Sequence, residues 1–286
     1  MKTRNILVRS SLPAITTVAL LTSFLGGTAQ AAYTNVVLGN SPIAYWGLNE
    51  TNGTTAVDSS GNGHNATYSG SPTLGVPGIP AGVMGSNKAV QFDGIDDTAA
   101  APSAAAFTPA PSGWSANQGF SVEAWIKATN GIPGNGIIVR WKPGTDAYVM
   151  YLQDDGTPLG FVRDNASISA SLTGPPVTNN AFHQLVLTFG HDALNNPFQK
   201  LYVDGTLASS SSAALGTMSG DSGIDMSVSA GQPFKGVMDE VSIYGTALSA
   251  GDVFQHYIAG IDIPEPSALV LVGLSGFWLF RRRRTS

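Results

Sequence analysis

Between residues 32 and 260 the chain repeats one pattern: short runs of alternating apolar and polar residues, separated by Gly, Asn, Asp and Pro. Alternation with a period of two puts successive side chains on opposite faces of a strand. Phe120, Val122, Ala124 and Ile126 thus share one face of a strand, and Ser121, Glu123, Trp125 and Lys127 share the other. The same reading predicts strands at Ala44–Leu48, Ala89–Phe92, Ile137–Trp141, Tyr148–Leu152, Gly160–Arg163, Ala181–Phe189, Lys200–Val203, Ser227–Ala230 and Val237–Tyr244. Asp155-Gly156 and Asp204-Gly205 fall between strands as hairpin turns, where Gly readily takes positive φ. Strand follows strand without alternating helices, so an all-β antiparallel sandwich or barrel is expected. One short helix closes the body. Ser249 caps it, Asp252 completes a capping box and Leu248 staples against Val253. It is predicted to run to about Ile258 and to end at Gly260.

The two ends break the pattern. Residues 1–31 have a basic start, an apolar run from Leu12 to Leu25 and then Ala29-Gln30-Ala31, the layout of a signal peptide cleaved before Ala32. Export is expected. The other end reads Ile263-Pro264-Glu265-Pro266, an apolar run from Ser267 to Phe280, then Arg281, Arg282, Arg283 and Arg284. That run has 14 residues, short of the ~20 of a comfortable spanning helix. The Arg cluster suits a cytoplasm-facing end. Pro264 to Ser286 resembles the PEP-CTERM sorting signal of Gram-negative bacteria. The resemblance implies an exosortase-type processing enzyme as partner, transient membrane association through the tail, and a host that makes exopolysaccharide. An ordinary C-terminal anchor has the same topology without processing. The chain therefore divides into a signal peptide (1–31), one sandwich domain (32–260) and a sorting tail (261–286).

Charge separates along the same boundaries. Of 14 Lys+Arg, seven lie at the ends, as Lys2, Arg4, Arg9 and Arg281–Arg284, while only Glu265 of 19 acidic residues lies outside residues 32–263. The net charge of −5 thus conceals a body with seven basic and 18 acidic residues, at −11. Such a body argues against nucleic acid as a partner, which needs clustered Lys and Arg. It favours solubility and leaves carboxylates for metal ions. The absence of Cys excludes disulfides, zinc–thiolate sites and a thiol nucleophile.

The order of short segments carries a second resemblance. Ala44-Tyr45-Trp46-Gly47-Leu48-Asn49-Glu50 is followed by Asp58-Ser59-Ser60-Gly61-Asn62-Gly63-His64-Asn65-Ala66 and by Ala89-Val90-Gln91-Phe92-Asp93-Gly94. Then come Phe120–Ile126, Leu201-Tyr202-Val203-Asp204-Gly205 and Met238-Asp239-Glu240-Val241-Ser242-Ile243-Tyr244. In this order they resemble the concanavalin A-like, laminin G-like jelly roll, over about residues 40–260. The resemblance implies a jelly-roll sandwich and says little about ligand, because this fold hosts many functions.

Three groups of residues carry candidate chemistry. Asp239 falls, by alternation, on the face of Val237, Val241 and Ile243, where a charge must be paired, hydrogen-bonded or metal-bound. The loop holding Asp58, Asn62 and His64 offers carboxylate, amide and backbone oxygens, the donors calcium prefers. The laminin G-like resemblance implies a structural calcium; the alternative is that Asp239 accepts backbone N–H bonds without metal. Trp125 and Trp141 lie on strands and are candidates for stacking on sugar rings; packing beneath a loop is the alternative. The loops 101–118 and 129–136 are further places for a binding site. Glu123, on the polar face beside Trp125, reads as solvated.

No catalytic residues emerge. Gly220-Asp221-Ser222-Gly223 resembles a protease nucleophile motif, but Ile224 breaks it and no base can be nominated. The Glu-x-Asp-x-x-Glu spacing of jelly-roll glycan hydrolases is missing. The expected function is that of a non-enzymatic surface or matrix protein binding polysaccharide or envelope protein. A glycan-active hydrolase and a purely structural matrix component are the alternatives.

Overall fold

The computed structural model describes residues 33–80, 87–129, 136–164, 167–228 and 231–261. Residues 33–39 are helical (α1) and lead into the strands β1 (Ala44–Trp46), β2 (Thr55–Ala56), β3 (Ala66–Ser69), β4 (Thr73–Pro77) and β5 (Lys88–Asp93). Next come β6 (Thr98–Ala101), β7 (Gly119–Thr129), β8 (Gly136–Trp141), β9 (Ala147–Leu152), β10 (Pro158–Asp164) and β11 (Ser167–Thr173). The chain continues through β12 (Asn179–His191), β13 (Pro197–Val203), β14 (Thr206–Ser211), β15 (Ile224–Met226) and β16 (Lys235–Tyr244) to the helix α2 (Ala250–Ile261). The signal-peptide residues 1–31 and the tail residues Pro264, Glu265, Pro266, Arg281, Arg282, Arg283 and Arg284 lie outside the described residues. Among the described residues no helix is long and apolar enough to cross a membrane.

The strands pair antiparallel into two sheets of eight. The first runs β14-β13-β12-β7-β16-β5-β4, with β1 also on β16; the second runs β11-β10-β9-β8-β15-β6-β3-β2. This is the expected sandwich. Its centre is β7, whose register on β12 sets Val122 opposite Leu187 and Ala124 opposite Leu185. That apolar face meets Trp46, Phe92, Trp141, Tyr148 and Met238 between the sheets. Burial of a side chain such as Phe92 or Leu187 contributes roughly 1.5–3 kcal/mol.

The opposite face of β7 is covered rather than solvated. Tyr33 and Val37 of α1 and Val253 of α2 pack with Tyr45, Trp125, Val186 and Tyr244 into a second apolar cluster. The molecule therefore has three layers, helices on sheet on sheet. Two hairpin turns form where the sequence indicates. Asp204 (φ 50°) and Gly205 (φ 72°) link the paired residues Val203 and Thr206, the double positive φ of a two-residue turn.

Three sequence expectations need correction. Of the strand expected at Ser227–Ala230, Ser229 and Ala230 lie outside the described residues; the strand observed is Ile224–Met226, and Ser227, at a φ of 60°, does not extend it. The alternation through Val237–Tyr244 breaks at a bulge between Asp239 and Ser242, with Glu240 at a φ of 53°. The extra residue moves Val241 and Ile243 onto the core face, leaving Asp239 on the helix side opposite Trp125. Helix α2 forms its capping box (Ser249 N–H to Asp252 Oδ2, 3.0 Å; Asp252 N–H to Ser249 Oγ, 3.1 Å) but continues through Gly260. Gly260 is there for close approach: a Cβ would lie 2.3 Å from Cζ2 of Trp125.

Candidate functional site

Neither tryptophan offers a ring to a ligand, which corrects their assignment as sugar platforms. Trp125 is 0% exposed, stacks on Tyr257 with centroids 5.9 Å apart and donates Nε1–H to Tyr33 Oη at 2.9 Å. Trp141 is equally buried and stacks on Tyr148 at 5.2 Å between the sheets. Alternation placed Trp125 on the right face of β7, but the helices close that face.

Glu123 is also buried, not solvated. His256 of α2 approaches its Oε2 with Nδ1 at 2.7 Å, Tyr244 donates to the same oxygen at 3.2 Å, and Gln184 donates to Oε1 at 2.7 Å. The other ring nitrogen of His256 lies 2.9 Å from Asn40 Oδ1. Burial alone would favour neutral imidazole, but the charge and hydrogen bond of Glu123, helped by Asp252, outweigh it and raise the His256 pKa. The contact, sealed beneath α2, ties helix to sheet, and the raised pKa of His256 favours its charged form there.

The residues considered for calcium separate into two places. Asp58 accepts from the backbone N–H groups of Tyr45 (3.0 Å), Ser60 (2.9 Å) and His64 (2.8 Å). Partial burial opposes its charge, yet the bonds from Ser60, Tyr45 and His64 prevail and lower its pKa. Asn62 donates to the carbonyls of Pro42 and Ile43, and the His64 ring packs 4.8 Å from Phe107. Asp58, Asn62 and His64 thus stitch their own loop to β1. Asp239 Oδ2 instead accepts from Ile79 N–H and Asn87 Nδ2, both at 2.8 Å. Burial, then the adjacent Glu240 carboxylate, push its pKa well above the ordinary value. Two oxygens beside this contact, Asp239 Oδ1 and Asn87 Oδ1, are buried without a hydrogen-bond partner, a costly arrangement unless something else satisfies them.

A third acidic feature was not anticipated. Asp93, Asp96 and Asp97 present carboxylate oxygens within 4.8 Å of one another, the one such group among the described residues, and could hold a metal ion. The turn organises it: Asp97 Oδ2 accepts from Asp93 N–H at 2.9 Å and Asp93 Oδ1 from Ile95 N–H at 2.7 Å.

A groove lies on the outer face of the second sheet, away from both tryptophans. It has a volume of about 220 Å³. Alternation in β9 turns Tyr148 and Met150 into the core and Ala147, Val149 and Tyr151 outward. Register adds Phe161 opposite Val149 and Arg163 opposite Ala147 on β10, with Arg140 opposite Val149 on β8. Tyr151 and Phe161 meet edge-to-face at 6.0 Å, Arg163 lies 5.6 Å over the Phe161 ring, and Lys142 completes the rim. Two larger cavities, of about 420 Å³ beside Thr51–Thr54 and about 480 Å³ beside Asp146 and Asp164, are walled mainly by small polar loop residues. Of these three cavities the sheet groove combines ring surface with positive charge, a pairing suited to amphipathic, hydroxyl-rich ligands. Sequence reading missed it because its residues are spread over three strands; the available signal was the outward set of β9.

An antiparallel sandwich of two such sheets defines the jelly-roll class of fold. Residues 93–254 match the concanavalin A-like lectin/glucanases superfamily (Laminin_G_3), and the chain belongs to it. The fold is similar to the binding domain of Paraclostridial Mosquitocidal Protein 1, at 15% identity over 77% of this chain and 52% of that one, TM-score 0.59. It is also similar to the botulinum neurotoxin serotype D ligand binding domain, solved in complex with N-acetylneuraminic acid (16% identity, 80% and 52% coverage, TM-score 0.55). Domain 4 of AbnA, a GH43 extracellular arabinanase from Geobacillus stearothermophilus solved with arabinotriose, matches at 21% identity, 76% and 98% coverage and TM-score 0.53. At such identities the likeness is one of fold. The chain spans about half the length of the toxin binding domains it matches. No curated protein matches it.

Proposed function

We propose that this protein is an exported, non-catalytic carbohydrate-binding module of a Gram-negative cell surface or extracellular matrix. The observation that carries this reading is the groove of Tyr151, Phe161, Arg140, Lys142 and Arg163 on an outer sheet face. Membership of a lectin and glucanase superfamily supports it, as do sugar ligands in two structures of similar fold. The binding of a polysaccharide panel by the purified protein tests it. Binding that falls about tenfold or more in Tyr151→Ala is expected, since ring–sugar stacking contributes on the order of 1 kcal/mol or more. Hydrolysis of a bound polysaccharide would replace the module by an enzyme.

Calcium enters this reading as a structural ion at Asp239, not at the Asp58 loop. Asp239 Oδ1 and Asn87 Oδ1 are hard oxygen donors lacking partners, the donor class calcium takes. Bound there, the ion would clamp β16 to the segment entering β5. Calcium at about 100 times its dissociation constant then stabilises by about 2.7 kcal/mol, a melting-temperature rise on the order of 5–10 °C. The rise should vanish in Asp239→Ala and survive Asp58→Ala; a melt indifferent to calcium would remove the ion from the account.

The PEP-CTERM tail completes the reading, with processing by an exosortase-type enzyme after membrane association through residues 267–280. Tyr33, packed on Trp125, follows the proposed cleavage before Ala32, so cleavage there would leave this contact in the mature chain. Intact-mass measurement of protein recovered from the host surface should show loss of the tail. Retention of Arg281–Arg284 in the surface form would identify an ordinary anchor.

A further inference from the structure

The groove on β8, β9 and β10 has a charge that the rest of the body does not share. Residues 32–263 hold seven basic residues against 18 acidic ones, yet three of the seven, Arg140, Lys142 and Arg163, line this groove. Among the described residues no Asp or Glu lines it. Arg140 is partly neutralised by Asp225 on β15, at 2.6 Å. Lys142 and Arg163 have no acidic partner among the described residues. An acidic protein that sets aside nearly half its cations for one recess has built a local anion site.

We propose that the groove selects anionic polysaccharide, a chain of sugars bearing carboxylates, over neutral polysaccharide. The inference rests on the carbohydrate reading of the same groove and adds the chemical class of its ligand. The parts divide the work by chemistry. Tyr151, half-buried, offers ring surface to the apolar faces of sugars, and the buried Phe161 packs against it edge-to-face and supports it. Arg163, held over the Phe161 ring at 5.6 Å, presents a planar fork that matches a carboxylate in bidentate fashion. Lys142, exposed at the rim, adds a mobile point charge. Arg140 and Arg163 stand on strands separated by β9, so their backbones are on the order of 10 Å apart. They can therefore meet charges on successive sugars rather than one isolated anion.

The repulsive side of the selection comes from the surrounding surface. A body at −11 disfavours polyanions everywhere except where cations are gathered. That favours a polymer with one carboxylate per sugar over the denser phosphate charge of nucleic acid.

The test uses the full-length protein with polygalacturonate and with the same polymer fully methyl-esterified, which keeps the sugar backbone and removes the charge. Binding to polygalacturonate is expected to be at least about tenfold tighter than to the ester, and to weaken as salt rises. Lys142→Gln with Arg163→Gln should abolish that preference while leaving the melting temperature unchanged. Lys200→Gln, on β13 of the other sheet, should leave it intact. Equal binding to both polymers overturns the inference and leaves a neutral-glycan groove. Binding to neither polymer, with binding to neutral glycans elsewhere in the panel, also overturns it. Silence across the whole panel overturns the carbohydrate reading itself.

Discussion

Replacing Glu123 by alanine lowers the free energy of unfolding by about 3–5 kcal/mol, the range found when one partner of a buried ion pair is removed. The size follows from what the carboxylate satisfies. His256, Tyr244 and Gln184 all lose an acceptor in a region closed to water. Because His256 reaches back from α2, the helix should detach before the sandwich unfolds. Urea denaturation followed by circular dichroism reads the loss, and a change within about 0.5 kcal/mol would mean that water reaches the pair.

The same pair has a pH signature with a definite sign. Glu123 raises the folded-state pKa of His256 above its unfolded value of about 6.5. Protonation therefore binds to the folded state more strongly, and the contribution is complete below about pH 6.5. It is lost as pH rises through the raised folded value. The quantity to compare is the difference between wild type and His256→Gln, which isolates this one residue. That difference should shrink on going from pH 6 to alkaline pH; a difference that grows would reverse the assignment of charge.

The second large effect is at Trp125. Trp125→Ala is expected to cost about 3–5 kcal/mol, as for a fully buried aromatic whose cavity cannot collapse. Its ring fills the space between Tyr257, Tyr33 and Gly260, and the α-carbon of Gly260 is already close against it. Polysaccharide affinity per folded molecule should stay unchanged in this variant. A selective loss of affinity with normal stability would restore Trp125 as a ligand platform.

These two residues show where sequence reading ends. The alternation of β7 sorts its side chains correctly, since Phe120, Val122, Ala124 and Ile126 do face the core and Glu123 and Trp125 do share the reverse face. Alternation cannot report what lies on that reverse face. Two helices from opposite ends of the chain cover it, and a polar residue beneath them becomes half of an ion pair. The bulge at Glu240 is hidden for a related reason: one extra residue inverts the pattern without changing composition. The groove was illegible because Arg140, Tyr151 and Arg163 are adjacent only across paired strands. What could be seen was the scarcity of cations in the body, and that scarcity gives their clustering its meaning.

The central claim is that ligand meets the outer face of the second sheet and not the tryptophans. Polysaccharide affinity measured side by side in Tyr151→Ala with Phe161→Leu, and in Trp125→Phe, tests it most directly. The account predicts a loss of about tenfold or more in the groove variant, with its fold preserved, and wild-type affinity in Trp125→Phe. Wild-type affinity in the groove variant together with a loss in Trp125→Phe would contradict it.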